Sequence, residues 1–157
     1  MALSLHIATA QAEDYDWCAG LMASTDPWIT LGRDIEQCRG TVRRPGMELF
    51  VARMPDTSVS TAEPVGFILL APYGFASSPY INSIAVSGEQ QGQGVGAQLL
   101  SFAEKQYAGR RHLFLLASSF NSRAQAFYRR HGYELVGELK DYIVRGHSEL
   151  IFHKRLA

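Results

Sequence analysis

Cysteine is scarce in this chain, and its histidines are not paired. The 157 residues hold two cysteines, Cys18 and Cys38, at a spacing that matches no metal motif. The five histidines (His6, His112, His131, His147 and His153) form no HxH or HExxH pair. No metal site is therefore expected, and the cysteines read as reduced and structural. No charge excess exists either: fifteen Lys and Arg balance fifteen Asp and Glu. Nucleic-acid binding by a basic surface is not expected. No apolar run approaches the roughly 20 residues of a membrane span. The N-terminal segment lacks the basic flank and apolar core of a secretion signal, so a cytoplasmic location is expected. Neither a repeat nor a linker interrupts residues 1–157, which read as a single domain with a sizeable core.

What is present is a regular alternation of element signals. Leu3, Leu5 and Ile7 mark a short strand, and Tyr15, Cys18 and Met22 fall at helical spacing between Ala12 and Ser24. Asp26-Pro27-Trp28 breaks that helix, and a second is predicted from Arg33 to Arg43, before Pro45-Gly46. Met47–Arg53 and Val65–Ala71 read as strands separated by a polar hairpin tip, Pro55–Glu63. Pro72–Pro79 reads as a loop. Tyr80–Val86 is a strand, and Val95, Leu99 and Tyr107 give the next helix a 3–4 period. His112–Ala117 is almost continuously apolar, as for a strand buried on both faces. Asn121 can cap a helix running to His131, with Gly132 as its left-handed stop. Tyr133–Leu139 and Glu149–Lys154 complete the chain as two strands.

The most informative segment joins the Tyr80–Val86 strand to its helix: Gln91, Gly92, Gln93, Gly94, Val95, Gly96 and Ala97. A strand, a glycine turn and a helix start aim several unpaired backbone amides at one point. Together with the positive end of the helix dipole they form a site for phosphate. Glycine lets a ligand approach the backbone closely. Gly92-x-Gly94-x-x-Ala97 matches a dinucleotide fingerprint, but that site needs a carboxylate about 20 residues on, after the next strand. Leu115-Leu116-Ala117-Ser118 offers none. A nucleotide-hydrolysing loop needs Gly-Lys-Ser/Thr, and Gly96-Ala97-Gln98 stands instead.

Coenzyme A remains. Gln91-x-x-Gly94-x-Gly96 resembles the Gln/Arg-x-x-Gly-x-Gly/Ala signature of the GNAT acyltransferase superfamily. Asn121-x-x-Ala124-x-x-Phe127-Tyr128-x-x-x-Gly132-Tyr133 looks like the second motif of that family, in the expected order. With their flanking strands the two motifs cover residues 80–135. The resemblance implies a mixed α/β fold: a central, mostly antiparallel sheet with one splayed parallel strand pair, flanked by about four helices. It also implies an N-acetyltransferase that moves an acetyl group from acetyl-CoA to a primary amine of a small molecule. Two alternatives are a peptide N-terminal or ribosomal-type acetyltransferase and a non-catalytic acyl-CoA-binding module. Monomers or homodimers are both expected in the family.

Residue roles follow from the resemblance. Pantetheine is expected to pair with the backbone along Ile84, Ala85 and Val86 like an added strand. The pyrophosphate is expected on the amides of residues 91–97, with Asn121 near the pantetheine arm. Arg123, Arg129 or Arg130 is expected at the adenosine phosphates. Many relatives carry arginine where this chain has Gln91 or Gln93, so backbone amides must carry more of the anion recognition. Tyr128 is expected to protonate the departing thiolate. An amine of pKa about 10.4 is only about 0.04% neutral at pH 7, so a base is useful. Some relatives use a glutamate where this chain has Tyr80 or Leu116. Glu48, sharing a face with Phe50 and Ala52, is a candidate base, and Glu149 is another. Trp28, Tyr73, Phe75 and Tyr142 are expected to line the acceptor pocket.

Overall fold

Local chemistry starts and stops most of the elements. The computed structural model describes residues 4–55 and 62–157. Within them the order is β1 (His6–Thr9), α1 (Asp14–Ala23), α2 (Ile35–Val42), β2 (Glu48–Arg53), β3 (Gly66–Phe75), β4 (Ser78–Val86), α3 (Val95–Gln106), β5 (His112–Ser118), α4 (Ser122–Arg130), β6 (Glu134–Leu139) and β7 (Glu149–Arg155). Asp34 opens α2 with a capping box: its carboxylate accepts from the Gln37 amide, and the Gln37 side chain accepts from the Asp34 amide. Asn121 caps α4 by accepting from the Ala124 amide at 3.2 Å. Gly132, with φ of 89°, ends that helix as expected. The centre of the polar segment Pro55–Glu63, residues 56–61, lies outside the described residues.

Two local expectations need correction. Pro72–Pro79 is not a loop. β3 runs on to Phe75, and a tight turn at Ala76 and Ser77, with φ of 49° and 68°, leads directly into β4. Two successive left-handed residues match the twist of a hairpin. Pro72, which lacks an amide hydrogen, sits where the register shifts between Ala71 and Phe75. Nor is β5 buried on both faces. Leu113, Leu115 and Ala117 are buried, whereas Phe114 and Leu116 are only half-buried, because no helix covers their side of the sheet.

The seven described strands form one sheet in the order β1-β2-β3-β4-β5-β7-β6. All neighbouring pairs are antiparallel except β4 and β5. α3 and α4 cover one face, packing Val95, Leu99, Ala103 and Tyr128 on Ile68, Leu113 and Phe152. α1 and α2 cover the other face at the β1–β4 end, packing Cys18, Met22, Cys38 and Val42 on Val51, Phe67 and Leu69. Each fully buried aliphatic side chain contributes about 1.5–3 kcal/mol. Both cysteines are free and buried, and burial pushes the Cys18 thiol up to about 12, which keeps it inert.

One irregularity sets the geometry of the site. Leu70 pairs with Ile81 and Leu69 with Ser83, so Asn82 is an extra residue in β4. A one-residue bulge flips the side chains that follow to the opposite face and bends the strand. Ile81 thus packs under α3 and α4, whereas Ala85 packs under α1 and α2.

Candidate active site

β4 and β5 are paired only at Tyr80–Phe114 and Ile81–Leu115. Beyond those positions the two strands separate. The rest of β4, to Val86, and of β5, to Ser118, leaves a cleft between them. The cleft continues into a cavity of about 1040 Å³. That volume lies at the upper end of ordinary ligand pockets and suits a long ligand.

The glycine loop forms one wall. No acceptor within the described residues takes a hydrogen bond from the amides of Gly92 to Ala97. Gly92 and Gly94 have φ of 80° and 85°, and a Cβ on either would enter open space. Several unpaired donors therefore point into a void. Gly96 has a different reason to be glycine. A Cβ there would lie 3.0 Å from the Phe127 ring of α4, so the close packing of α3 on α4 depends on its absence. The loop is also less bare of charge than its sequence implies. The Gln91 amide donates to the Val86 carbonyl at 3.3 Å, and its oxygen accepts from the Arg123 guanidinium, also at 3.3 Å. A cation from α4 stands where the loop itself has none.

The expected binding residues gather around this space. Residues 84–86 and 94–97, with Gln91, Gly92, Asn121, Arg123 and Tyr128, all line the cavity, as do Trp28 and Tyr142. Gln93 does not line it, and its side chain folds back onto the Glu89 carbonyl. Arg130 lines the cavity, whereas Arg129 lies over the Phe152 ring instead.

Two expected residues lie elsewhere. Glu48 is exposed at the start of β2 and is not part of the cavity wall. Its face is covered by the far end of α3: Phe50 meets Phe102, and Glu48 acts on the Tyr107 hydroxyl. The glycine loop is at the opposite end of that helix, about 18 Å away for its 12 residues. Tyr73 is 74% exposed, with Arg110 over its ring at 5.0 Å, and does not line the cavity, although Ala71 and Gly74 beside it do. Phe75, two residues on, does line the cavity and stacks on Phe114 at 4.5 Å.

Across the strand cleft from the glycine loop, Glu149 opens β7 directly beside Ser118 of β5. Ser118 Oγ donates to Glu149 Oε2 at 2.7 Å, and both residues are buried. Burial pushes the Glu149 carboxyl above the usual range, while the Ser118 hydrogen bond and His147 pull it partly back. Tyr80 is near enough to respond to Glu149. Burial raises its phenol, Glu149 and Tyr142 raise it further, and Arg44 lowers it. Burial, with a smaller contribution from Tyr80, likewise raises the Tyr128 phenol. The Tyr128 hydroxyl has no partner among the described residues. The buried polar side-chain atom left unpartnered among them is Tyr107 Oη, so the Tyr128 hydroxyl opens to the cavity instead.

A family model described as an acetyltransferase (GNAT) domain matches residues 45–135. The chain belongs to the GNAT acetyltransferases. It is an acyltransferase, and the splayed parallel pair and glycine loop are where its sequence motifs fall. The chain is 26% identical to an uncharacterised N-acetyltransferase, YesJ, of Bacillus subtilis (strain 168), over 87% of this chain and 86% of that protein. Many solved structures share its fold, two of them informative here. One is Arabidopsis thaliana NAA60 in complex with a bisubstrate analogue, with a TM-score of 0.77 and 15% identity over 97% of this chain and 99% of that one. The other is an aminoglycoside 6'-N-acetyltransferase complexed with coenzyme A, with a TM-score of 0.72 and 18% identity over 97% of each chain. No group of three or more metal-ligating side chains occurs among the described residues of this GNAT chain. No helix among them is long and apolar enough to cross a membrane.

Sequence reasoning missed Ser118, Arg33 and Arg44 as members of the cavity wall. Ser118 carried a usable signal, since it is the first polar residue after an apolar strand. The two arginines carried none, because their positions depend on how α2 packs on the sheet.

Proposed function

We propose that this GNAT enzyme transfers the acetyl group of acetyl-CoA to a primary amine of a small molecule within one ternary complex. The observation that carries the reading is a single cavity joining an unpaired amide cradle, an unpartnered phenol and a buried carboxylate. The cradle of Gly92 to Ala97 suits the diphosphate of coenzyme A, and the free edge of β4 at Ile84–Val86 suits its pantetheine arm. Arg123 adds the positive charge that Gln91 and Gln93 do not supply.

The amine nitrogen attacks the thioester carbonyl, the carbon–sulfur bond breaks, and one proton moves from nitrogen to sulfur overall. Glu149 is the base. A carboxylate with a raised pKa holds a proton better than an ordinary one and so draws it more effectively from the amine. Tyr128 stays protonated across the physiological range and donates to the negative charge growing on sulfur. The amide of Val86, on the unpaired edge of β4, suits a role in polarising the carbonyl.

Thiol release from acetyl-CoA across a panel of amines and peptides tests this reading. Tyr128→Phe is expected to slow turnover at least tenfold, about 1.4 kcal/mol in the barrier, with acetyl-CoA affinity little changed. Unaltered turnover would remove the tyrosine from the mechanism. A module that only binds acyl-CoA would release no thiol with any acceptor.

A further inference from the structure

The acceptor end of the cavity has a charge pattern that the acetyl-transfer chemistry does not require. In and beside the α1–α2 layer, three arginines are neutralised. Arg39 pairs with Glu36 and Asp16, Arg43 with Asp16, and Arg53 with Asp14. Arg33 and Arg44 make no salt bridge or side-chain hydrogen bond among the described residues, and both line the cavity. The unpaired guanidiniums of this layer are thus the ones that face the acceptor space.

The nearby acids do not offset them. Asp26 lines the same wall, but its Oδ1 accepts from the Thr30 amide at 3.0 Å and the Thr30 hydroxyl at 2.7 Å. Those bonds hold its carboxyl below the usual range and turn that oxygen into its own turn. Glu149 is the other acid on the cavity wall, buried and bonded to Ser118. The Tyr80 phenol is influenced by Glu149 and Arg44 with opposite sign, so one point of the cavity lies within reach of both charges. Trp28, Phe75 and Tyr142 wall the space between.

A guanidinium presents a planar fork of donors that matches a carboxylate. An amine held at Glu149 with a carboxylate at Arg44 would satisfy both ends. A polycation would instead meet two unpaired positive charges and only one carboxylate not engaged with its own turn. We infer that the acceptor is a primary amine that also bears a carboxylate, of the amino-acid class, with Arg44 recognising the acid group. This inference rests on the acetyl-transfer reading above and adds the acceptor's chemical class to it.

The test is steady-state thiol release by the full chain with phenylalanine, phenylalaninamide, phenethylamine and spermidine. Phenylalanine is expected to exceed its amide and its decarboxylated analogue in kcat/KM by at least about tenfold, the worth of one charge-assisted bond. Arg44→Gln should lower kcat/KM for phenylalanine far more than for phenylalaninamide, chiefly through KM. Arg44→Glu should shift preference toward spermidine. Arg44 is exposed, so neither substitution threatens the fold. Equal or better turnover of the amide or of spermidine by the unmodified enzyme overturns the inference and leaves acetyl transfer standing. Acetyl-CoA binding without turnover of any carboxylated amine also overturns it. Calorimetry showing no acetyl-CoA affinity would instead remove the underlying reading, and the inference with it.

Discussion

Ser118 Oγ donates a 2.7 Å hydrogen bond to Glu149 Oε2, and the antiparallel register of β5 and β7 sets these two residues side by side. The bond joins a buried serine to a buried carboxylate at the mouth of the strand cleft. A buried carboxylate needs such a partner, and here that partner also tunes its affinity for a proton.

As the proposed base, Glu149 should tie activity to pH. Its carboxyl lies above the ordinary range, with burial as the main cause. The kcat/KM of the enzyme should therefore rise as pH increases through a value above that of an ordinary carboxylate. Ser118→Ala removes a contact that pulls this pKa down, so the acidic limb should move to higher pH. Glu149→Gln should abolish the limb and most of the turnover. A pH–rate profile of the two variants decides the matter, and an unmoved limb in Ser118→Ala would show that another group titrates.

Stability should move oppositely to activity. A carboxyl raised in the folded state favours folding while protonated, and that contribution is present below the unfolded pKa. It is lost as pH rises through the folded pKa. Glutamine carries no such dependence and can keep a hydrogen bond to Ser118. Glu149→Gln is therefore expected to be at least as stable as the unmodified chain at pH 8, when both are unfolded in urea. A clear loss there would mean that the ionised carboxylate helps the fold.

Tyr128→Phe should leave the melting temperature almost unchanged, because the hydroxyl has no partner among the described residues. Tyr133→Phe is the contrast. It deletes a 3.1 Å bond to Glu104, which also binds Lys154 at 2.8 Å, and should cost about 1–2 kcal/mol. Thermal denaturation of the pair separates a residue kept for chemistry from one kept for the fold.

The two kinds of glycine in the loop should behave differently. Gly96→Ala places a Cβ 3.0 Å from Phe127 and should destabilise the chain by about 1–3 kcal/mol. Phe127→Leu should recover part of that stability. Gly94→Ala meets no atom but holds alanine at φ of 85°, so about 1–2 kcal/mol of strain is expected. Gly94→Glu adds a like charge to the cradle and should abolish acetyl-CoA binding by calorimetry. Persisting affinity would put the diphosphate elsewhere.

Arg123 should report on the anion site through salt. Its bond to Gln91 lies on the exposed surface, where attraction is screened within about 8–10 Å at physiological ionic strength. Arg123→Ala is expected to weaken acetyl-CoA binding severalfold at low salt and by less at 0.5 M. An identical loss at both salt concentrations would point to packing rather than charge.

Local physics made much of this protein legible from its residues. Asp34 and Asn121 announce helix starts, the 3–4 spacing of Val95 and Leu99 marks a buried helix face, and the glycines of residues 92–96 leave backbone donors free. Those features depend on neighbours a few positions away, so the element order and the amide cradle could be read directly. Glu48 shows where such reading stops. It shares a face with Phe50 and Ala52, but at the end of α3 remote from the cradle, and periodicity carries no information about which end of a packed helix a residue meets.

The acceptor half of the cavity was decided by tertiary structure alone. The extra residue at Asn82 reverses the alternation of β4, and an alternating pattern looks the same in sequence whether or not a bulge interrupts its pairing. Ser118 reaches Glu149 through strand register, and Arg33 and Arg44 reach the cavity through the packing of α2 on the sheet. Each of these joins residues far apart in the chain. Burial and pairing select such contacts only after the whole sheet has formed, and no short stretch of sequence encodes them.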